Sequence, residues 1–556
     1  MADQGIVAPT VADLVVARIA HHTDHLFGVG GANIEDIYDA VHRGTAPVTG
    51  IVAKHEFGAA TMADGYARAT NRLGVVAATS GGGALNTLAA LGESFDSRVP
   101  VLALIGQPPL ALEGKGAFQD TSGAPGRMDA ELIFGAVSRY CAKVRRAQDI
   151  HEELDRAITA ALAGGPAVLL LPKDIQQAAV AAPPEPRRPA REPNPSQSDS
   201  LDRALALIAT APDHGTALII AGPEIAAADA RAELAALAVA LDARVAVTPD
   251  AKDVFPNAHP RFAGVTGVMG HPNVPELVAR AELVILAGAA MSHTASAGLA
   301  GLAACPRVVH LGIDEPFVPV HARVPGDLAT LLRETAFRTA RSGGRTTGHL
   351  AVELPALTPP RATGPGVRYR EAVAALAARL EPGTGIVADA GNTGAAVVHH
   401  LPIPEGGRFL IALGMGGMGY SFGAGIGMAL GRNRRTVVIA GDGSYFMHGH
   451  EVHTAVEYQA PVTFIVFNNN AHAMCVTREQ LYYTGDYTFN RFRPADIGAG
   501  VAALLPGLPA WSARTLGEFT SALDKANAEA GPAFIELHCD PDEVPPFLPF
   551  LKEFTA

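Results

Sequence analysis

Continuous aliphatic runs of strand length, separated by stretches of helical periodicity, set the rhythm of this chain. Thr10 precedes an apolar-periodic segment that predicts a helix, HLFGV at 25–29 predicts a short strand, and the turn GGAN at 30–33 leads into a further helix. GVVAAT at 74–79 and VPVLALIG at 99–106 lack polar alternation, the mark of strands covered on both faces. The pattern returns with ALIIAG, RVAVTPD, ELVILAG and RVVHLGID between 217 and 314, and again with GIVADA, RTVVIAGD, VTFIVFN and AFIELH between 385 and 538. Strand alternating with helix predicts an α/β fold of three parallel-sheet domains, the first and third alike in their order of elements.

Two breaks divide the pattern. At 181–200 and 341–366, Pro, Gly, Arg and Ser replace the aliphatic runs and read as linkers, which gives domains at 1–182, 200–340 and 366–556. A net charge of -12 excludes the clustered basic surface that nucleic acid requires, so the expected partner is a small molecule. Cys141, Cys305, Cys475 and Cys539 are too dispersed for a zinc site or a disulfide framework, and the start of the chain lacks a basic segment followed by an apolar run. No apolar run approaches the roughly 18 residues of a membrane span. A cytoplasmic, membrane-free enzyme is expected.

The most informative stretch runs from RTVVIAGDGS to VTFIVFNNN. In a parallel βαβ unit both strand-end loops open on one sheet edge, which brings Asp442 near the pair Asn468–Asn469. A carboxylate and an amide oxygen are hard ligands suited to Mg²⁺, which completes its shell with water and substrate phosphates. Gly441 and Gly443 allow close backbone approach, and Ser444 adds an N–H at the start of the next helix, so a metal-bridged diphosphate is the implied ligand. Alone, GDGS reads equally as a tight turn and the Asn run as a helix cap.

Together the two pieces resemble the thiamine-diphosphate motif of the acetolactate synthase, benzaldehyde lyase and 2-keto-acid decarboxylase superfamily. The resemblance implies Mg²⁺ ligation by Asp442, Asn469 and the backbone carbonyl of Ala471. KHEFGAATMADGYARATNRLGVVAATSGGGALNTLAAL is similar to the family's pyrimidine-binding domain and implies that Glu56 is the carboxylate bonded to the cofactor's pyrimidine ring. Without that context, Glu56 would read as an acid answering a helix dipole. By the same resemblance Asn392 and Thr393 approach the diphosphate, the Gly416 carbonyl accepts from the 4′-amino group, and Met418 holds the two rings in a bent arrangement that gains a proximity advantage.

For substrate, the resemblance carries over Val29, Gly30 and Gly31 of FGVGGAN, Phe118 and Gln119 of GAFQD, and Met474 and Arg478 beyond the Asn run. Here the chain departs from acetolactate synthases: NNNAHAMCVTREQ lacks the family's tryptophan, and the segment after Gln119 is longer. Arg478 reads either as a carboxylate clamp or as a solvated helix residue. The implied reaction is decarboxylation of a 2-keto acid with ligation of the carbanion to a second carbonyl, in a homodimer or homotetramer with sites at subunit interfaces. Simple decarboxylation and aldehyde lysis are alternatives. The middle block is similar to a central domain that holds FAD in some family members and nothing in others, so a flavin is left open. A different reading, a nucleotide-dependent dehydrogenase, takes Gly414, Gly416 and Gly419 as GxGxxG and Asp442 as its ribose-binding acid.

Overall fold

The computed structural model describes residues 9–44, 46–181, 195–210, 217–341, 354–483 and 489–555; residues 182–194 of the first linker and 342–353 of the second lie outside these residues. Three six-stranded sheets form, and every strand pair within them is parallel. The first contains β1 His25–Val29, β2 Thr49–Val52, β3 Gly74–Ala78, β4 Val101–Gln107, β5 Tyr140–Lys143 and β6 Ala167–Pro172. The second contains β7 Ala217–Ala221, β8 Arg244–Val247, β9 Phe262–Val265, β10 Leu283–Ala287, β11 Val308–Leu311 and β12 Ala322–Val324. The third contains β13 Gly385–Ala388, β14 Arg408–Ile411, β15 Thr436–Gly441, β16 Val462–Asn468, β17 Ala510–Ala513 and β18 Ala533–His538.

The strand orders are β2-β1-β3-β4-β6-β5, β12-β11-β10-β7-β8-β9 and β14-β13-β15-β16-β18-β17. The first and third are the same topology, as their similar element order predicts. Central runs such as β3, β4 and β6 are buried at every position, in keeping with sheets covered by helices on both faces. Each sheet falls within one span read from the sequence, and we keep those boundaries as a proposal. The helix Pro195–Ala209 starts five residues before the boundary set at 200.

The third domain is packed to both others. One apolar cluster runs from the middle sheet into the third, and another joins the first sheet to the third. The first-to-third contact centres on the helices Glu56–Thr70 and Tyr420–Arg432, which cross at close range. Glycine makes this possible: a Cβ on Gly427 would fall 2.0 Å from the Met62 carbonyl oxygen, and one on Gly65 would fall 2.3 Å from that of Ala424. The buried Tyr420 hydroxyl bonds Asp64, which also pairs with Arg68 at 2.7 Å, so the seam carries a satisfied ionic group.

Candidate active site

The third-domain order reverses between β13 and β15, the place where parallel α/β sheets take ligands. Two helices start at this crevice: Asn392–His400 after β13, and Asp442–His448 after β15. Neither has a side-chain cap, and Gly391 turns into the first at φ 98°. The Asn392 Oδ1 and Thr393 Oγ1 atoms are buried there without partners, as is Ser421 Oγ. Buried polar atoms are rarely left so in native proteins; at these helix starts the two hydroxyls can donate to an anionic ligand, and the Asn392 oxygen can accept from a donor of the same ligand.

Asp442 is 1% exposed, and burial pushes its carboxyl up to about 7 against the pull of backbone N–H groups. The Ala471 N–H is shared by Asp442 Oδ2 at 3.1 Å and Asn469 Oδ1 at 3.0 Å, so both oxygens converge on one point. Of the two asparagines, Asn468 is spoken for. Its amide donates to Glu536 Oε1 at 2.6 Å and to the Ala495 carbonyl at 2.8 Å, while its oxygen accepts from Asn470 N. Asn469 is oriented by its own amide, which donates to the buried Tyr369 hydroxyl at 2.9 Å. Two convergent hard oxygens, one on a carboxyl that burial alone disfavours as an anion, suit a divalent cation such as Mg²⁺.

Around them the sequence-derived positions assemble. A Cβ on Gly443 would lie 2.4 Å from His472 Cδ2 and 3.1 Å from the Met418 methyl, which explains the glycine and joins Met418 to the diphosphate turn. Gly441 faces open space, and Gly416 does so at φ +65°. Ser444 directs its hydroxyl to Asp389 Oδ1 at 2.7 Å, which leaves its N–H as the group suited to a phosphate. Asp389 is a buried hub that sequence reasoning missed: it also accepts from Gly419 N and Ser421 N, both at 3.0 Å. Its strand-ending place in GIVADA, directly before GNTG, was the available signal.

The dehydrogenase reading fails on the same geometry. Gly414 follows the edge strand β14, and β13 separates that strand from β15 and Asp442. Three of the loop's N–H groups are occupied as well: Gly414 and Met415 donate to Glu93 of the first domain, and Gly419 donates to Asp389. They are not available to a pyrophosphate.

Glu56 opens its helix at 9% exposure and receives the Asn86 amide on Oε2 at 2.9 Å. A Cβ on Gly83 would come 2.8 Å from Oε1, so this glycine keeps the carboxylate's second oxygen uncrowded. The third domain sets the helix start, because Glu451 accepts from Lys54 N and from His55 N at 2.9 Å, and Phe57 stacks on His448 at 4.1 Å. Among the described residues no hydrogen bond joins the Glu56 carboxylate itself to the Asp442 cluster. Gly31 packs on Thr79, and Gly30 faces open space. Gln119, at φ 56°, accepts weakly from Thr79 and Ser80 at 3.4 Å, which places it beside Val29, Gly30 and Gly31 at the reversal between β1 and β3.

Phe118 is 75% exposed. Met474 is half-buried and Arg478 exposed, one turn apart on the helix Ala473–Tyr482. The structure therefore places Asp442, Asn469, Asn392, Thr393 and Glu56 in well-packed surroundings and leaves Phe118 and Arg478 in solvent. Glu451, Asn86, Glu93 and Asp389 support the site through contacts distant in sequence, and no local motif marks the first three.

Residues 389–537 match the family described as thiamine pyrophosphate enzyme, C-terminal TPP binding domain, residues 9–124 its N-terminal TPP binding domain, and residues 201–335 its central domain. The chain is 27% identical over 534 residues to the acetolactate synthase isozyme 1 large subunit of Escherichia coli, covering 94% of this chain and 92% of that protein. It is 28% identical over 559 residues to the acetolactate synthase of Arthrospira platensis, covering 94% and 93%. Its fold is similar to a thiamine diphosphate-dependent 4-hydroxybenzoylformate decarboxylase of Rhodococcus jostii, with a TM-score of 0.80, 21% identity, and coverage of 96% of this chain and 99% of that one.

Proposed function

The chain belongs to the thiamine pyrophosphate enzymes, and from that premise we propose that it decarboxylates a 2-keto acid and joins the resulting carbanion to a second carbonyl compound. The observation that carries this reading is the third-domain crevice, where Asp442 and Asn469 converge beside the unpartnered Asn392 Oδ1 and Thr393 Oγ1 atoms. The reading assigns Asp442, Asn469 and the Ala471 carbonyl to Mg²⁺. Asn392, Thr393 and the N–H groups of Gly443 and Ser444 take the diphosphate, with Gly441 leaving room for it.

When bound in this cradle, the cofactor would supply the electron sink that decarboxylation of a 2-keto acid needs. The protein's own task is positioning and proton control. Glu56 would hold a proton at the pyrimidine ring nitrogen, with Asn86 fixing one of its oxygens. Met418 and the Gly416 carbonyl would hold the cofactor's rings, on a loop supported by the Asp389 bonds to Gly419 and Ser421. Val29, Gly30, Gly31 and Gln119 border the substrate space, with Phe118, Met474 and Arg478 at its mouth.

Glu56 meets the crevice of a second copy in this reading, which makes the enzyme a homodimer or homotetramer. Exposed Phe118 and Leu132, at 75% and 74%, supply apolar surface of the kind that association buries. Simple protonation of the carbanion is the second reading, favoured by the decarboxylase fold relative and by the missing synthase tryptophan. Incubating the protein with thiamine diphosphate, Mg²⁺ and a panel of 2-keto acids, with and without aldehyde acceptors, tests both. Carbon-joined products support ligation, aldehyde alone supports protonation, and no CO₂ from any keto acid contradicts the proposal.

A further inference from the structure

Read from its β9 edge, the middle sheet runs β9-β8-β7-β10-β11-β12, the 3-2-1-4-5-6 order of dinucleotide-binding domains. Such a sheet takes its ligand beyond the strand ends where the order reverses, here between β7 and β10. Glycines at those ends leave space for a ligand, and in this chain the space is already taken. A Cβ on Gly288, at φ +59°, would fall 2.6 Å from Glu224 Cβ, and one on Gly312, at φ +149°, would fall 2.9 Å from Glu224 Oε2.

The Glu224 carboxylate accepts from the successive N–H groups of Ile313 at 2.8 Å and Asp314 at 2.9 Å. These are the donors at the end of β11 that a phosphate or ribose would otherwise meet. The loop after β7 is bonded to the loop after β10: Glu224 N donates to Gly288 O at 3.3 Å, and a Cβ on Gly222 would lie 2.2 Å from Gly288 O. The first domain then covers the rim, through Arg98 to Asp314 at 2.8 Å and the Asn71 amide to Ala226 O at 2.9 Å. A pyrophosphate entering here would displace a carboxylate from its donors and meet its negative charge.

We propose that Glu224 is a built-in ligand that plugs the middle-domain crevice, so that this domain holds no flavin or other dinucleotide and acts as a strut against the first domain. FAD does not fit the residues present.

The full-length protein purified from cells is denatured and its supernatant chromatographed for flavin and adenine nucleotides, and the native protein is titrated calorimetrically with FAD and with ADP. The expected result is no released nucleotide and no binding heat; stoichiometric flavin or nucleotide in either assay overturns the proposal. Amide hydrogen exchange in Glu224→Ala is the second arm. Ile313 and Asp314 should exchange faster by roughly tenfold or more, with Glu224→Gln between wild type and alanine, because the amide keeps one acceptor oxygen. Unchanged protection in Glu224→Ala overturns the plug. The titrations are made with thiamine diphosphate and Mg²⁺ saturating the third-domain site, so that heat from FAD or ADP reports on the middle domain, and the nucleotide assays need no variant that folds.

Discussion

At the strand reversal of the third sheet, between β13 and β15, Asn392 Oδ1 and Thr393 Oγ1 stand buried without partners; at the reversal of the middle sheet, between β7 and β10, Glu224 already satisfies the backbone donors. Both crevices have glycines and both lie where such sheets bind ligands. What separates them is the set of donors at the strand ends, which in the middle domain the Glu224 carboxylate meets. A crevice with orphaned polar atoms calls for a ligand, whereas one whose donors the chain itself meets has become structure.

The largest effect that sharpens this contrast is at Glu56. Glu56→Gln should lower kcat by ~10²–10⁴-fold, while diphosphate and Mg²⁺ binding, measured calorimetrically, stay close to wild type. Asp442→Ala should weaken cofactor binding by at least ~100-fold at fixed Mg²⁺; near-normal affinity would remove the carboxylate from the metal site. Asp389→Ala strips an acceptor from Gly419, Ser421 and Ser444 and should destabilise the fold by ~3 kcal/mol or more in chemical denaturation.

The next effect concerns pH. Burial holds His271 down to about 3, His399 to about 4 and His400 to about 3, from an ordinary 6.5. Unfolded, these rings take up protons that the folded protein refuses, so their contribution is complete above pH 6.5 and is lost as pH falls toward 4. Stability should drop on the order of a few kcal/mol between pH 7 and 5, and His400→Asn should flatten that slope. An equal slope in the variant would exclude His400 as a source. The smallest effect is on turnover in Glu224→Ala, where kcat should stay within about twofold of wild type while stability falls by ~1–3 kcal/mol. A larger loss of turnover would mean that the two crevices are not independent.

Much of the fold was legible because buried parallel strands write themselves as unbroken aliphatic runs. HLFGV coincides with β1, and GIVADA, RTVVIAGD and VTFIVFN cover β13, β15 and β16. Shorter strands such as β2, β5 and β17 carry half-buried or exposed positions and blend into their surroundings. At the site, Asp442 and the Asn run were visible because both ends of one βαβ unit are close in sequence. Which asparagine faces Asp442 was not, since that depends on Glu536, 68 residues on, claiming Asn468. Glu451 lies 396 residues from the His55 N–H it accepts, and Glu93 lies 322 residues from the Met415 N–H it accepts, so packing alone reveals them. The GxGxxG pattern misled for a related reason: spacing cannot tell whether a loop's N–H groups are free or already taken.

The central claim is that the third-domain crevice is the cofactor site. Calorimetric titration of thiamine diphosphate into the metal-free protein, with and without added Mg²⁺, tests it most directly. The account predicts saturable binding with one cofactor per chain that requires Mg²⁺ and disappears in Asp442→Ala; binding that ignores both Mg²⁺ and Asp442, or no binding at all, would contradict it.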